Sequence, residues 1–265
     1  MKQYVHISFD DVYECMQDMT IHSKEYKSVF ENRLFAWMQS MHNLYGAVFT
    51  LNVFNQVTFD EKYDISAFPN TYAEELRKNS HWLKFAFHAK DDMTKYVIDD
   101  REAVQADYEV FVSAIMKATG WNEDSIDHVS RLGFFEGTLE NLRALRDAKH
   151  GIYGFLTADN SDTRSSYFFD EERIHKVNQN GFFYEEEEEL LFIKSQLRME
   201  YVKSVEEQWK RIADYKDCKV IELFTHEYCF HDAAVRELLE KYIVWAYEKG
   251  YGFDFTENVY PYKQR

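Results

Sequence analysis

The chain has 265 residues, 17% of them aromatic, with only 9 Gly and 2 Pro, and a formal net charge of −16. That is ample apolar mass for one core near the upper size limit, and too little linker chemistry for long disordered stretches. The charge argues against nucleic acid and anionic membrane surfaces as partners, and Cys15, Cys218 and Cys229, with no C-x-x-C spacing, argue against a disulfide framework or a cysteine zinc site.

The predicted elements alternate. Strand patterns fall at YVHISF (4 to 9), AVFTLNVF (47 to 54), LKFAFH (83 to 88), HVSRLGFF (128 to 135) and GIYGFLT (151 to 157). Further strands are expected at ELLFIKSQLRMEYV (189 to 202), KVIELFTHE (219 to 227) and, more weakly, GYGFDF (250 to 255). Between them, KEYKSVFENRLFAWMQSMHNL, REAVQADYEVFVSAIMKATG and DAAVRELLEKYIVWAYEKG carry apolar residues at helical spacing, the last two stopping at Gly120 and Gly250. The segment from about 160 to 188 has weak periodicity and reads as a surface excursion, its glutamate run 185 to 189 as a solvated face.

This alternation predicts an α/β fold: a distorted (β/α) barrel of seven or eight mostly parallel strands with outer helices, as one domain over 1–265. No apolar leader precedes QYVHISF and no apolar run is long enough to span a bilayer, so a soluble, cytoplasmic protein is expected.

In such a barrel, functional groups gather where strands end. The first strand ends in Asp10-Asp11, the third in His88 followed by Asp91 and Asp92, the fourth carries Arg131, the fifth leads to Asp159 and Asp162, and the one near 222 ends in His226-Glu227. A divalent ion lowers the pKa of bound water, and a free carboxylate beside it can take that water's proton during attack on a carbonyl. Two adjacent carboxylates can both serve one mouth only where the backbone leaves its pleat. An imidazole opposite could protonate a leaving group.

The motif series resembles the polysaccharide deacetylases, the family 4 carbohydrate esterases. "SFDD" is similar to their TFDD motif, which implies Asp10 as general base and Asp11 on the metal. "HAKDD" stands where the family has H-x-x-x-H, which implies His88 as a ligand and puts Asp92 in place of the second histidine. "SRLGFFEG" resembles the arginine motif, without its proline, and implies that Arg131 orients the base; "LTADNSD" stands at the acidic motif; "LFTH" matches the final leucine-x-histidine and implies His226 as acid.

The resemblance spans roughly residues 5 to 230 and implies a metal-dependent hydrolase of an acylated amide or ester on a carbohydrate-type substrate. One divalent ion is implied, zinc, manganese, nickel or similar; two carboxylates and one imidazole form a harder set that could favour manganese, magnesium or calcium, unless His226 moves onto the metal. Tyr13, Phe134, Asp159, Glu227 and Tyr228 are the expected substrate contacts, with flat aromatic faces for sugar rings. Arg198 and Glu200, two apart on a strand face, read as a paired charge, structural or substrate-orienting. The departure at Asp92 keeps an alternative open, a barrel that binds a glycan or glycan precursor without turning it over.

Overall fold

The computed structural model describes residues 2–159, 166–213 and 218–260. In chain order the elements are β1 (Tyr4–Val12), α1 (Glu14–Ile21), α2 (Arg33–Tyr45), β2 (Phe49–Phe54), α3 (Ala73–Asn79), β3 (Leu83–Ala89), α4 (Arg101–Ala118), β4 (Val129–Ser130) and α5 (Leu139–Asp147). There follow β5 (Gly154–Thr157), α6 (Glu171–Asn180), β6 (Phe182–Glu185), β7 (Leu190–Arg198), α7 (Val205–Ala213), β8 (Val220–His226), α8 (Ala233–Glu248), β9 (Gly252–Phe253) and α9 (Thr256–Val259).

Seven parallel strands run side by side in the order β3-β2-β1-β8-β7-β5-β4. The ring is nearly closed. Residues leading into β4 meet β3 through a parallel bridge between Ile126 and Phe85 and through Asp127 N–H donating to the Phe85 carbonyl at 2.8 Å. β4 itself has only two residues, so the barrel is distorted there, and HVSRLGFF yields far less strand than its pattern predicts.

Alternation along β1 sorts the two layers. Val5, Ile7 and Phe9 are fully buried outside the ring, where Phe9 meets Trp37 of α2 and Phe230 edge-on at 6.1 and 6.0 Å. Each such side chain contributes about 2 kcal/mol by leaving water. His6, Ser8 and Asp10 point the other way into a polar interior, where the buried neighbours are Thr50, Asn52, Arg131, Ser195 and Glu222.

Two departures from the expected elements have local causes. The periodic stretch from residue 24 begins as helix only at Arg33, because Ser28 and Glu31 close a capping box on a short 3-10 turn and Asn32 then accepts from the Leu34 and Phe35 amides. Gly46, at φ 77°, ends α2. The expected surface excursion instead contains α6, with Val177 as its one buried residue, and β6, which pairs antiparallel with β7. The glutamate run 185 to 189 is partly engaged: Arg173 pairs with Glu185 and Arg143 with Glu188. No helix among the described residues is long and apolar enough to cross a membrane.

Candidate active site

The carboxyl ends of β1, β3 and β8, with the segment after β4, surround a cleft of about 260 Å³. Asp10, Asp11, His88, Asp92, Arg131, Phe134 and His226 line it, as does Arg198. Asp10 and Asp11 both reach it because β1 loses register against β2 between Phe9 and Val12 and Asp11 takes a left-handed conformation, φ 54°. Aspartate tolerates that region better than most residues, and the bulge re-aims its side chain. A similar register shift near the end of β3 accompanies His88.

Asp10 is 2% exposed. Its Oδ1 accepts from Arg131 Nη1 at 2.8 Å and from Asn52 Nδ2 at 2.9 Å, while Oδ2 takes no hydrogen bond from the described residues. Arg131 is in turn fully buried, donating to Ser8 and, through Nη2, to Ser195 and Glu222 at 2.9 and 3.0 Å, with its guanidinium 4.0 Å from the centre of the Phe224 ring.

Asp11 sits between two imidazoles, with Oδ1 at 3.1 Å from His88 Nε2 and Oδ2 at 3.8 Å from His226 Nε2. Burial alone would push its carboxyl up; the His88 hydrogen bond and the charges of His88 and His226 outweigh that and hold it below the usual carboxylate range. His88 is buried, which would push the imidazole down, yet the Asp11 hydrogen bond and the two aspartate charges raise it. Its Nδ1 lies 2.5 Å from the Arg131 carbonyl, which fixes that nitrogen as the donor.

His226 is oriented by a residue absent from the expected set. Glu200, in a 3-10 turn just after β7, accepts from His226 Nδ1 at 2.5 Å, from Arg198 Nε at 2.7 Å and, through Oε2, from Thr225 at 2.9 Å. Burial acts to raise the Glu200 carboxyl, but the His226 hydrogen bond and charge and Arg198 bring it down to about 2. The sequence signal was the Arg198–Glu200 pair, which is indeed an ion pair but stands at the mouth.

Three expected contacts are differently employed. Asp92 lines the cleft, but its carboxylate is committed to Thr58, accepting from the amide at 2.6 Å and the hydroxyl at 2.9 Å. The spacing from His88 would give one helical turn, whereas β3 ends at Ala89 and the chain turns before α4 begins at Arg101, so no shared helix face exists. Glu227 is buried below the mouth, where it accepts from the amides of Tyr13, Glu14 and Cys15 at 2.7, 2.8 and 2.8 Å and so caps α1; burial lifts its carboxyl despite those donors. Tyr13 packs edge-on against Phe59 and Tyr63, outside the cleft lining.

Tyr228 stacks on His226 at 5.2 Å beside the cleft, and Phe134 is 37% exposed at its rim. Asp159 is half-buried after β5 and does not line the cleft; Asp162 lies outside the described residues.

The donors present fit a cation held by two protein groups. Asp11 Oδ1 and His88 Nε2 are 3.1 Å apart, a separation that two ligands at about 2.1 Å from one ion can span. With Nδ1 committed to a carbonyl, the second nitrogen of neutral His88 can offer only a lone pair to the carboxylate, and a cation between them satisfies both. Asp11, His88 and Asp92 do not form a compact triad. Among the described residues, the group of three His, Cys, Asp or Glu whose donor atoms all lie within 4.8 Å is Glu200, His226 and Cys229.

No family model and no curated protein matches the sequence. Solved structures match along nearly the whole chain. A family 4 acetyl xylan esterase from Clostridium thermocellum, in complex with a cobalt ion, superposes with a TM-score of 0.54 at 12% identity over 97% of this chain and 90% of its own. The T48 deacetylase with substrate gives 0.50 at 11% identity, covering 98% and 91%. The chain therefore shares its fold with these deacetylases, a nearly closed parallel barrel with outer helices. The architecture is not confined to one chemistry: 4-alpha-glucanotransferase from Thermococcus litoralis gives a TM-score of 0.58 at 10% identity over 97% of this chain but only 38% of its own.

Proposed function

We propose that the deacetylase-like barrel hydrolyses an acylated amide or ester on a carbohydrate-type substrate, with a divalent cation held by Asp11 and His88. The observation that carries this reading is the single cleft where Asp11 faces both His88 at 3.1 Å and His226 at 3.8 Å, with Asp10 beside it on a buried arginine.

When bound, the cation would polarise the acyl oxygen and acidify a water molecule. The chain supplies the proton transfers. Asp10 is anchored through Oδ1 by Arg131 and Asn52, which leaves Oδ2 to accept the proton of the water that attacks the acyl carbon. His226, held through Nδ1 by Glu200, presents Nε2 to the cleft; as the C–N or C–O bond breaks, Nε2 gives its proton to the departing nitrogen or oxygen. Arg131 and Glu200 act through these two residues and are positioning groups.

One observation favours a second reading. The engagement of Asp92 by Thr58 leaves two protein ligands, and a protonated His88 would satisfy Asp11 without metal. The barrel would then bind a glycan or glycan precursor without hydrolysis.

Metal analysis and acetate release separate the two. After loading with manganese, cobalt or zinc and dialysis, the wild type is expected to retain one ion per chain, to lose it in Asp11→Asn and His88→Ala, and to release acetate from acetylated saccharides in a chelator-sensitive manner. A metal-free protein whose acetate release is unchanged by chelator would overturn the cation; no release from any acylated sugar under loading would favour the binding-only barrel.

A further inference from the structure

Two arginines line the cleft, and they are used differently. Arg131 commits both Nη groups to buried acceptors. Arg198 donates only Nε, to Glu200; among the described residues no acceptor takes a hydrogen bond from its Nη1 or Nη2, and neither atom is buried without a partner. Its fork therefore opens onto the cleft.

The fork is also held still. Arg198 is 16% exposed, its guanidinium lies 4.3 Å from the centre of the Tyr201 ring and 5.7 Å from that of Phe224, and Glu200 fixes its inner edge. A planar fork ordered in advance loses little freedom when it binds a second partner. Its charge is only partly compensated, because Glu200 Oε1 accepts from His226 as well as from Arg198; Asp159 attracts Arg198 without a hydrogen bond.

Phe134 and Phe135, which also line the cleft, occupy consecutive left-handed conformations, φ 60° and 58°. Bulky residues avoid that region, and such strain collects at functional sites. The Phe134 ring lies at the rim with Lys95 Nζ 4.3 Å from its centre.

We propose that the substrate is an acylated sugar bearing an oxyanion, carboxylate or phosphate, and that Arg198 binds this group end-on through Nη1 and Nη2. Planar bidentate recognition of such groups is what the guanidinium fork does best. The inference rests on the hydrolase reading of the cleft, and its test reads affinity, so that the two can fail separately.

Wild type, Arg198→Gln and Arg198→Lys are titrated calorimetrically with N-acetylglucosamine, N-acetylglucosamine 6-phosphate and N-acetylmuramic acid. The wild type is expected to bind at least one charged sugar about tenfold or more tighter than the neutral one, and which of the two identifies phosphate or carboxylate. Arg198→Gln should bring the charged-to-neutral ratio close to one, with Arg198→Lys, which keeps charge but loses the fork, in between. Neutral sugar bound as tightly as both charged ones, no binding of either charged sugar at millimolar concentration, or a preference that survives in Arg198→Gln overturns the proposal. Charged-sugar binding without hydrolysis would sink the hydrolase reading alone.

Discussion

Arg131 bonds Asp10 through Nη1 at 2.8 Å and Glu222 through Nη2 at 3.0 Å, so one buried guanidinium serves two buried carboxylates. The contact continues inward. Glu222 meets His6 Nδ1 at 2.5 Å, His6 Nε2 meets the Thr50 hydroxyl at 2.9 Å, and that hydroxyl donates to Asp127 at 2.6 Å. The interior of the barrel is thus a connected polar chain with the proposed base at its outer end. Burial would push the His6 imidazole down, but the Glu222 carboxylate raises it, and burial with the nearby Glu257 charge lifts Asp127 to about 6.

Removing the shared cation should be costly to folding. Arg131→Met leaves Asp10 and Glu222 buried without their partner, and breaking a buried pair from one side typically costs about 3–5 kcal/mol. Urea unfolding of the variant is expected to show a loss of that size. A loss below about 1 kcal/mol, within the range of exposed pairs, would mean that the interior is wetter than the geometry implies.

Asp10→Asn separates chemistry from architecture. The amide oxygen can still accept from Arg131 and Asn52, but the side chain can no longer take a proton. Acetate release should fall by about 10²–10⁴-fold, the usual contribution of a positioned general base. A variant that retains more than about a tenth of wild-type kcat assigns the base elsewhere.

Much of this arrangement was legible in the sequence, and the parts that were not share a cause. The run V-H-I-S-F-D in β1 displays its two faces directly, apolar towards the helices and polar towards the interior, and the places of Asp10 and His226 near their strand ends follow from strand positions, whereas Arg131, inside the expected strand 128 to 135, falls just past the two-residue β4. Glu200 escaped because its tie to His226 joins residues 26 apart, across the ends of two neighbouring strands. Asp92 lines the cleft with its carboxylate on Thr58, an arrangement that its spacing of four from His88 does not convey, because that spacing means a shared face only in a helix and the chain there is a turn. α6 and β6 were hidden because α6 carries only two apolar residues, Ile174 and Val177, and β6 is only four residues long.

Glu227 gives a test of structure independent of catalysis. Its carboxylate accepts from three consecutive amides at the start of α1, a helix whose own N-cap, Tyr13, makes no side-chain cap. Glu227→Ala would leave those donors without their acceptor, at about 1–3 kcal/mol for each that stays buried. A loss of at least about 3 kcal/mol in chemical denaturation is expected. Glu227→Gln, which keeps an acceptor oxygen, should lose less; equal losses in the two variants would show that the amides are not what the residue serves.

Glu200 makes stability depend on acid. Its carboxyl sits at about 2 in the folded protein, below the ordinary value of 4.5, because the His226 hydrogen bond and charge and Arg198 overcome the opposing effect of burial. A carboxyl depressed by folding stabilises the native state above its unfolded pKa and loses that contribution as pH falls through the folded value. The window therefore runs from about 4.5 down to about 2, and the shift corresponds to roughly 3 kcal/mol. In Glu200→Gln this contribution is missing at every pH. The difference in unfolding free energy between wild type and variant should be largest above about pH 5 and shrink steadily towards pH 2. A gap of constant size across that range would show that Glu200 holds His226 by packing and neutral hydrogen bonding, without the charge that the ion pair with Arg198 implies.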